Sequence, residues 1–526
     1  MSTQPLLELT SLHIGFQDKT LVQNVSFELQ RGGFLGIAGE SGSGKTLTCF
    51  AVAGLLDPAL TPKGAAWFTC RDGKRINLLE ATKDEWARLR RSEISFIFQE
   101  PMSALNPVMR CGEQLRECLP DIPRKDQDQR MAELMQSMGL QDIRRILRSY
   151  PFQLSGGQRQ RLMIAMALAN RPALIIADEP TTALDAALKN QITELLTTRC
   201  REEGVSVIMV SHDLDLLAAH CQDVMVMQEG KVMEQGNGRR ILHDPAHPYT
   251  RLLLNCRPRL SRRGYTLPDT QGSTATYVPK QAIESSSLLL RAKVDSKTFK
   301  GGKRPALQRI DVQVAQGETL CILGQSGSGK STLARILCRL DTEFSGSLET
   351  PGTTLGRRPV QMVFQDPFSA LNPGMRASSI VIEVLRQRGL SPAEAKLECT
   401  RLFDAVRLPE HCRDKFPSQL SGGQCQRVSI ARSLAAAPRV LILDESVSAL
   451  DPSVQASVLN LLQQLQRDTG LGYLFITHDL DLAAWMADRV QVLLDGQTDC
   501  EGPAEALFNA APTPYTRELF SYLDRG

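Results

Sequence analysis

Two lysines stand behind glycine-rich loops of identical spacing. Gly39-Glu40-Ser41-Gly42-Ser43-Gly44-Lys45-Thr46 and Gly324-Gln325-Ser326-Gly327-Ser328-Gly329-Lys330-Ser331 both satisfy G-x-x-x-x-G-K-[ST]. Glycines there let backbone N–H groups turn inward around phosphate oxygens; Lys45 and Lys330 then meet the β- and γ-phosphates, and the Thr46 and Ser331 hydroxyls suit Mg²⁺. Asp178-Glu179 and Asp444-Glu445 each close an apolar run. At such a strand end Asp178 or Asp444 can hold Mg²⁺ through water, and Glu179 or Glu445 can polarise the water that attacks a γ-phosphate. His212 and His478 follow further apolar runs and suit contact with that phosphate. Each signal has an ordinary alternative, since glycines make plain turns, acids cap strands and histidines sit on surfaces. Duplication decides between them. Leu154-Ser155-Gly156-Gly157-Gln158 returns as Leu420-Ser421-Gly422-Gly423-Gln424, and Gln99/Gln365, Asp178/Asp444, His212/His478 and Tyr249/Tyr515 keep the same offset of 266 positions. The chain reads as a tandem ATP-binding protein with ATP and Mg²⁺ as its cofactors.

The elements that must carry these groups are legible. Phe34–Ala38 and Thr319–Leu323 are short apolar runs leading into the loops, with helices expected from Lys45 and Lys330. Ala173–Ala177 and Val440–Leu443 read as buried strands ending in the acid pairs, and Val207–Val210 and Leu474–Thr477 as strands feeding the histidines. Buried strands alternating with helices predict an α/β fold, a largely parallel sheet covered on both faces, built twice. The expected divisions are a first domain at 1–260, a linker at 261–286 and a second domain at 287–526. Arg257 to Ser287 is rich in Pro, Gly, Ser, Thr and Arg and reads as a solvated linker. The halves differ chiefly between the glycine loop and Gln99/Gln365, where the first carries 19 more residues; Trp67 to Arg91 there reads as a hairpin turn plus a basic helix.

Composition bounds the rest. The 526 residues suffice for two cores, and 42% hydrophobic with 23% charged residues is ordinary for globular protein. A net charge of +3 gives no argument for nucleic acid. Met1 to Pro5 does not begin like a secretory signal, and no apolar run approaches a membrane span, so any membrane crossing is expected from other chains. The 13 cysteines form no Cys-x-x-Cys pair and read as reduced thiols rather than an iron–sulfur or metal site.

Together these motifs resemble ATP-binding cassette ATPases over nearly the whole chain, with Leu-Ser-Gly-Gly-Gln as the most specific element. The resemblance implies two tandem cassettes, each a mainly parallel sheet with an antiparallel β part and a helical subdomain. It implies head-to-tail pairing within the chain. One site would join Lys45, Gln99, Asp178, Glu179 and His212 to Ser421, Gly422, Gly423 and Gln424; the other would join Lys330, Gln365, Asp444, Glu445 and His478 to Ser155, Gly156, Gly157 and Gln158. Gln99 and Gln365 would complete the Mg²⁺ sets of Thr46 with Asp178 and of Ser331 with Asp444. Phe16 and Phe299 match the family's adenine-stacking aromatic, with a core phenylalanine as the alternative. Neither half lacks a catalytic group, so two hydrolytic sites are expected, although Cys425 replaces the arginine seen at Arg159 and Ser446 replaces Pro180.

Two stretches narrow the branch. Phe98 to Pro107 pairs with Phe364 to Pro373, and Pro245 to Arg251 pairs with Ala511 to Arg517. Both look like import ATPases for dipeptides, oligopeptides, nickel and glutathione. The resemblance implies an ATPase peripheral to the cytoplasmic face of the inner membrane, driving two integral-membrane permeases supplied by a solute-binding protein. Peptide is the first expectation for the solute and nickel or a metal–chelator complex the second. A soluble tandem ATPase, ribosome-associated or in a phosphonate complex, is the other class.

Overall fold

Phe34-Leu35-Gly36-Ile37-Ala38 has no polar face to offer water, and all five residues are buried as a central strand. The computed structural model describes residues 4–17, 19–181, 186–269, 273–278, 287–301, 304–325, 327–351, 358–448, 450–521 and 523, leaving aside the side chains of 186 and 187. The chain divides into two units, Met1–Leu254 and Asn255–Gly526.

In the first unit, strands β1 (Leu7–Phe16), β2 (Lys19–Leu29), β4 (Thr61–Thr69) and β5 (Arg75–Asn77) form an antiparallel sheet of order β2-β1-β4-β5. Strands β3 (Phe34–Ala38), β6 (Ile94–Ile97), β7 (Leu174–Asp178), β8 (Ser206–Val210), β9 (Asp223–Gln228) and β10 (Lys231–Asn237) form the second, of order β10-β9-β3-β8-β7-β6. All its pairings are parallel except β9–β10, which turn through Glu229-Gly230.

Alternation along each parallel strand splits the core in two. Leu35, Ile37, Leu174 and Ile176 face the antiparallel sheet and the helix Lys45–Ala53. Phe34, Ala38, Ile175 and Ala177 face the helical side, where Leu115, Met135, Ile146 and Leu162 come from the helices Cys111–Glu117, Arg124–Ser137, Ile143–Arg148 and Gly156–Leu168. Period-two side-chain direction thus covers both faces of a sheet whose strands carry no polar side.

The second unit repeats the plan. Strands β11 (Leu288–Lys297), β12 (Leu307–Ala315) and β14 (Ser345–Glu349) make a three-stranded antiparallel sheet. Strands β13 (Thr319–Leu323), β15 (Val360–Val363), β16 (Val440–Asp444), β17 (Gly472–Ile476), β18 (Arg489–Leu494) and β19 (Gln497–Pro503) form the six-stranded sheet, β15-β16-β17-β13-β18-β19. That is the first unit's order strand for strand. The expected mixed α/β cassettes are therefore present twice.

The extra segment of the first unit is a hairpin and a helix, as its sequence predicts. β4 and β5 meet across the turn at Arg71 to Lys74, with the Arg75 guanidinium 5.1 Å from the centre of the Trp67 ring. The helix Lys83–Ser92 opens on a Thr82/Glu85 capping box. Its Trp86 lies flat against Gly54, where a Cβ would strike the indole. This segment packs on its own unit.

The expected linker differs in its first part from a solvated coil. Leu267 is fully buried in the second unit's core, as is Cys256 ahead of the expected linker. The Leu267 N–H donates to Asn460 Oδ1 at 2.9 Å and its carbonyl accepts from Asn460 Nδ2 at 2.7 Å. Trp485 Nε1 donates to the Tyr265 carbonyl and Arg263 to that of Ala487. Two apolar residues scattered among polar ones have no periodicity, which is why the sequence hides this docking. Residues 270–272 and 279–286 of the expected linker lie outside the described residues. Among the described residues no helix is long and apolar enough to cross a membrane.

Candidate functional site

Each glycine-rich loop follows a buried strand and ends in a helix that begins at the lysine. Gly44 and Gly329 hold φ of 96° and 102°, the left-handed region that glycine enters without steric cost. At Gly39 and Gly324 a Cβ would come within 2.7 Å of Ser43 Oγ and Ser328 Oγ, so any side chain would fill the cradle. Those two hydroxyl oxygens are buried without a hydrogen-bond partner. Lys45 Nζ donates to the carbonyls of Gly39 and Glu40, both at 2.8 Å, and Lys330 Nζ to those of Gly324 and Gln325 at 2.7 and 2.9 Å. The ammonium is thus held inside its own loop. Ser326 lies outside the described residues.

β7 and β16 run beside these loops and end in the acids. Asp178 is buried with the Thr46 hydroxyl near its carboxylate, and Asp444 likewise with that of Ser331. Burial raises both carboxyl pKa values above the usual range, helped by the neighbouring Glu179 or Glu445 charge and opposed by the hydroxyl and the lysine. Asp178 Oδ1 is also buried without a hydrogen-bond partner. A buried acceptor whose charge is penalised is one a divalent cation would relieve. The residues present therefore fit Mg²⁺ at Thr46 with Asp178 and at Ser331 with Asp444.

One residue on, Glu179 and Glu445 take φ of 45° and 47°. Their amides still reach the adjacent strand, Glu179 N to the Val210 carbonyl at 3.1 Å and Glu445 N to that of Ile476 at 2.9 Å. The carboxylates gather the remaining groups. Gln99 Nε2 donates to Glu179 Oε2 at 3.2 Å, with His212 Nδ1 3.6 Å from the same oxygen. Gln365 Nε2 donates to Glu445 Oε2 at 2.8 Å, and His478 Nδ1 lies 3.1 Å from Oε1. The second constellation is tighter, and the His478 side chain is 22% exposed against 39% for His212. The hydrogen bond from His478 pulls the Glu445 pKa below the ordinary carboxylate range despite burial. Burial would pull the His478 pKa down, but the hydrogen bond and charge of Glu445 raise it above the usual histidine range.

The Leu-Ser-Gly-Gly-Gln motifs each start a helix, Gly156–Leu168 and Gly422–Ala435. Ser155 Oγ accepts from the Gln158 amide at 3.3 Å while Gln158 Oε1 accepts from the Ser155 amide at 3.1 Å. Ser421 and Gln424 repeat this box at 3.3 and 3.0 Å. The glutamine therefore closes the cap, and the serine hydroxyl proton remains available to an outside acceptor. The second glycine has a packing reason: a Cβ on Gly157 would lie 2.9 Å from Leu188 Cδ2, and one on Gly423 would overlap Val454 Cγ1 outright. Gly422 has only Leu450 Cδ2 at 3.9 Å. Arg159 Nη1 donates to the Leu154 carbonyl at 2.8 Å, whereas Cys425, in the matching place, offers its Sγ to Pro417 O at 3.4 Å.

Phe16 and Phe299 are 41% and 48% exposed, so neither is a core residue, and the Lys297 ammonium lies over the Phe299 ring at 5.1 Å. Residues 182–185 after the first acid pair, and Ala449 after the second, lie outside the described residues. One contact went unread in the sequence. Tyr249 Oη donates to Glu40 Oε2 at 3.4 Å, and the Gln325 amide donates to Tyr515 Oη at 3.3 Å. The shared offset marked both tyrosines, but nothing local pointed them at the glycine loop.

The comparisons with known proteins agree with this geometry. The family model described as ABC transporter matches residues 22–182 and 307–448. The model described as Oligopeptide/dipeptide transporter, C-terminal region, matches residues 233–280. The Glutathione import ATP-binding protein GsiA of Salmonella choleraesuis (strain SC-B67) is 38% identical over 560 residues, 99% of this chain and 90% of that protein. The protein of the same name from Escherichia coli (strain K12) is 38% identical over 555 residues, 98% of this chain and 89% of its own length. The solved structure of RNase-L Inhibitor aligns with a TM-score of 0.62 over 98% of this chain and 99% of that one, at 18% identity, a likeness of fold alone. The chain, with two P-loop cassettes of one strand order and a peptide-transporter segment after the first, belongs to the ATP-binding cassette transporter family, as an ATP-binding subunit of its import branch.

Proposed function

We propose that this chain binds and hydrolyses ATP at two sites and so energises import of short peptides or a related small solute. The observation that carries this is the constellation formed twice: a loop-held lysine, a hydroxyl beside a buried aspartate, and a glutamate contacted by glutamine and histidine. Lys45 and Lys330 bind the phosphates, together with the loop amides. Thr46, Gln99 and Asp178 would hold one Mg²⁺, and Ser331, Gln365 and Asp444 the other. Bound there, the ion supplies charge neutralisation across the phosphates. Glu179 and Glu445 accept the proton of the attacking water. His212 and His478 hold those carboxylates and contact the γ-phosphate, and Phe16 and Phe299 stack the adenine.

The far side of each nucleotide would come from the other cassette. Ser421, Gly422, Gly423 and Gln424 would complete the first site and Ser155, Gly156, Gly157 and Gln158 the second, through the serine hydroxyl and the helix N-terminal amides. ATP binding would then close the cassettes and hydrolysis reopen them. The expected setting is peripheral, at the cytoplasmic face of the inner membrane, with two permeases and a solute-binding protein. Glutathione, named in the relatives, is the first solute to test within the peptide class.

Replacing Glu179 and Glu445 by Gln in turn tests the two-site reading. Each is expected to lower steady-state ATP turnover by the share its own site contributes, about twofold where the two contribute equally, since loss of general-base catalysis silences that site; unchanged turnover in either variant refutes it. Gentle solubilisation of a tagged chain tests the import reading. Two polytopic membrane proteins should copurify, and ribosomes or a soluble enzyme complex in their place would refute import.

A further inference from the structure

The helices that carry the two tyrosines are fixed by acids of the last sheet strand. Tyr249 lies one residue into Pro248–Asn255 and Tyr515 one residue into Pro514–Phe520. Glu234 of β10 accepts from the amides of Ala246 at 2.8 Å and His247 at 3.1 Å. Asp499 of β19 accepts from the hydroxyls of Thr513 and, at 2.6 Å, Thr516. Burial pushes the Glu234 carboxyl pKa upward, yet these hydrogen bonds outweigh it and leave it below the usual range. Each tyrosine therefore rises from an anchored turn rather than a loose tail.

What the tyrosines reach is the residue after the first loop glycine, and that residue is held at its other end by the loop lysine. The Glu40 carbonyl accepts Lys45 Nζ at 2.8 Å while its carboxylate accepts Tyr249 Oη at 3.4 Å. The Gln325 carbonyl accepts Lys330 Nζ at 2.9 Å while its amide donates to Tyr515 Oη at 3.3 Å. The same link is thus made by two different chemistries. In the first unit a carboxylate stands beside loop amides suited to phosphate, a like-charge neighbour for any triphosphate, and the tyrosine hydroxyl is one of the groups that orient it. In the second unit no charge needs controlling, and the hydroxyl holds the loop backbone directly.

We propose that Tyr249 and Tyr515 are positioning residues for nucleotide binding, acting through Glu40 and Gln325, so that the segment following each sheet sets the shape and charge of its phosphate loop. This rests on the reading above that the loops bind ATP.

The test is a titration of the full-length chain with a fluorescent N-methylanthraniloyl ATP in the presence of Mg²⁺. Tyr249→Phe keeps the buried ring and removes only the hydroxyl. It is expected to weaken one of two binding phases by about fivefold, the scale of one hydrogen bond. In a Glu40→Gln background the same substitution should cost less than about twofold, because the carboxylate it orients is gone. Tyr515→Phe should weaken the other phase by about threefold whether residue 325 is Gln or Ala, since its partner is a backbone amide. An equal loss for Tyr249→Phe in both Glu40 backgrounds, or no loss at all, overturns the proposal. A fall in nucleotide-free melting temperature with unchanged affinity overturns it too, because packing alone would give that result. Failure of the unsubstituted chain to bind the nucleotide would refute the ATP reading itself; binding without coupling between residues 249 and 40 would refute this inference alone.

Discussion

Gly423→Ala separates what the signature helix does for packing from what it does for nucleotide. The added Cβ would overlap Val454 Cγ1, a methyl of the helix Pro452–Thr469. Val454 is β-branched and stiff at χ1, so it has little room to turn away. Real Cβ contacts need about 3.4 Å or more, so the helix Gly422–Ala435 must back off by roughly 1 Å. Overpacking of this kind costs about 1–3 kcal/mol, offset by about 1 kcal/mol from replacing glycine in a helix. The net loss of about 0–2 kcal/mol corresponds to a melting-temperature fall of about 0–8 °C for a unit of this size.

Activity should fall much further. On the proposal that this helix start meets the nucleotide's phosphates, a misplacement of about 1 Å costs on the order of 100-fold in rate. Steady-state ATP hydrolysis of the assembled transporter, read beside a thermal melt, makes the comparison. Adding Val454→Ala removes the clashing methyl and should restore at least about tenfold of the lost rate, through the packing term alone. Gly157→Ala should be milder, because its Cβ would meet the mobile end of Leu188 at 2.9 Å. The reasoning is refuted if Gly423→Ala hydrolyses ATP normally, or if Val454→Ala gives no rescue.

Other outcomes follow from the same geometry. Thr46→Val removes the hydroxyl beside Asp178, and the Mg²⁺ concentration for half-maximal turnover should rise by about tenfold or more. Arg159→Ala removes the bond to the Leu154 carbonyl and should destabilise the first unit by about 1 kcal/mol in urea denaturation; Cys425→Ala, which loses a weak thiol contact, should cost less. The His478–Glu445 pair gives a pH signature. The raised histidine pKa contributes stability fully present below its ordinary 6.5 and lost as pH rises through the folded value. The depressed glutamate pKa contributes stability present above its ordinary 4.5 and lost as pH falls through the folded value. Destabilisation by His478→Gln in denaturant melts should therefore be greatest between about pH 4.5 and 6.5 and shrink toward pH 8.5; a pH-independent loss would exclude the ion pair.

Most of the cassette core was legible because its signals are local. The strand before each glycine loop, the helix beginning at each lysine and the acids at the ends of β7 and β16 depend on short apolar runs that are buried whatever surrounds them. The extra hairpin was legible from Asp72-Gly73 between two apolar stretches. What escaped were contacts between segments far apart in sequence. Leu267 docks on Asn460, 193 positions away, and Tyr249 reaches Glu40, 209 positions away; neither residue pair carries a pattern that names its partner. The signature glutamines were read only as nucleotide contacts, because a ligand motif and a capping box share the spacing Ser-x-x-Gln.

Backbone strain bears on whether both halves work. Positive φ recurs at matched places along the chain, but most of these need no special reason. Glu229 and Asp495, at φ of 48° and 47°, each begin a two-residue hairpin with a following glycine, where the turn itself requires that conformation. Glu179 and Glu445 are different, since they follow directly on β7 and β16 with their amides still bonded to the neighbouring strand. No turn demands the left-handed backbone there, and it costs about 1–3 kcal/mol at each glutamate. The conformation lifts each carboxylate out of the strand's alternation and delivers it to Gln99 and His212, or to Gln365 and His478. A half that had ceased to hydrolyse ATP would gain stability by relaxing this residue. The strain stands in both halves, with the second glutamate bound more closely than the first, and it supports two working but unequal sites.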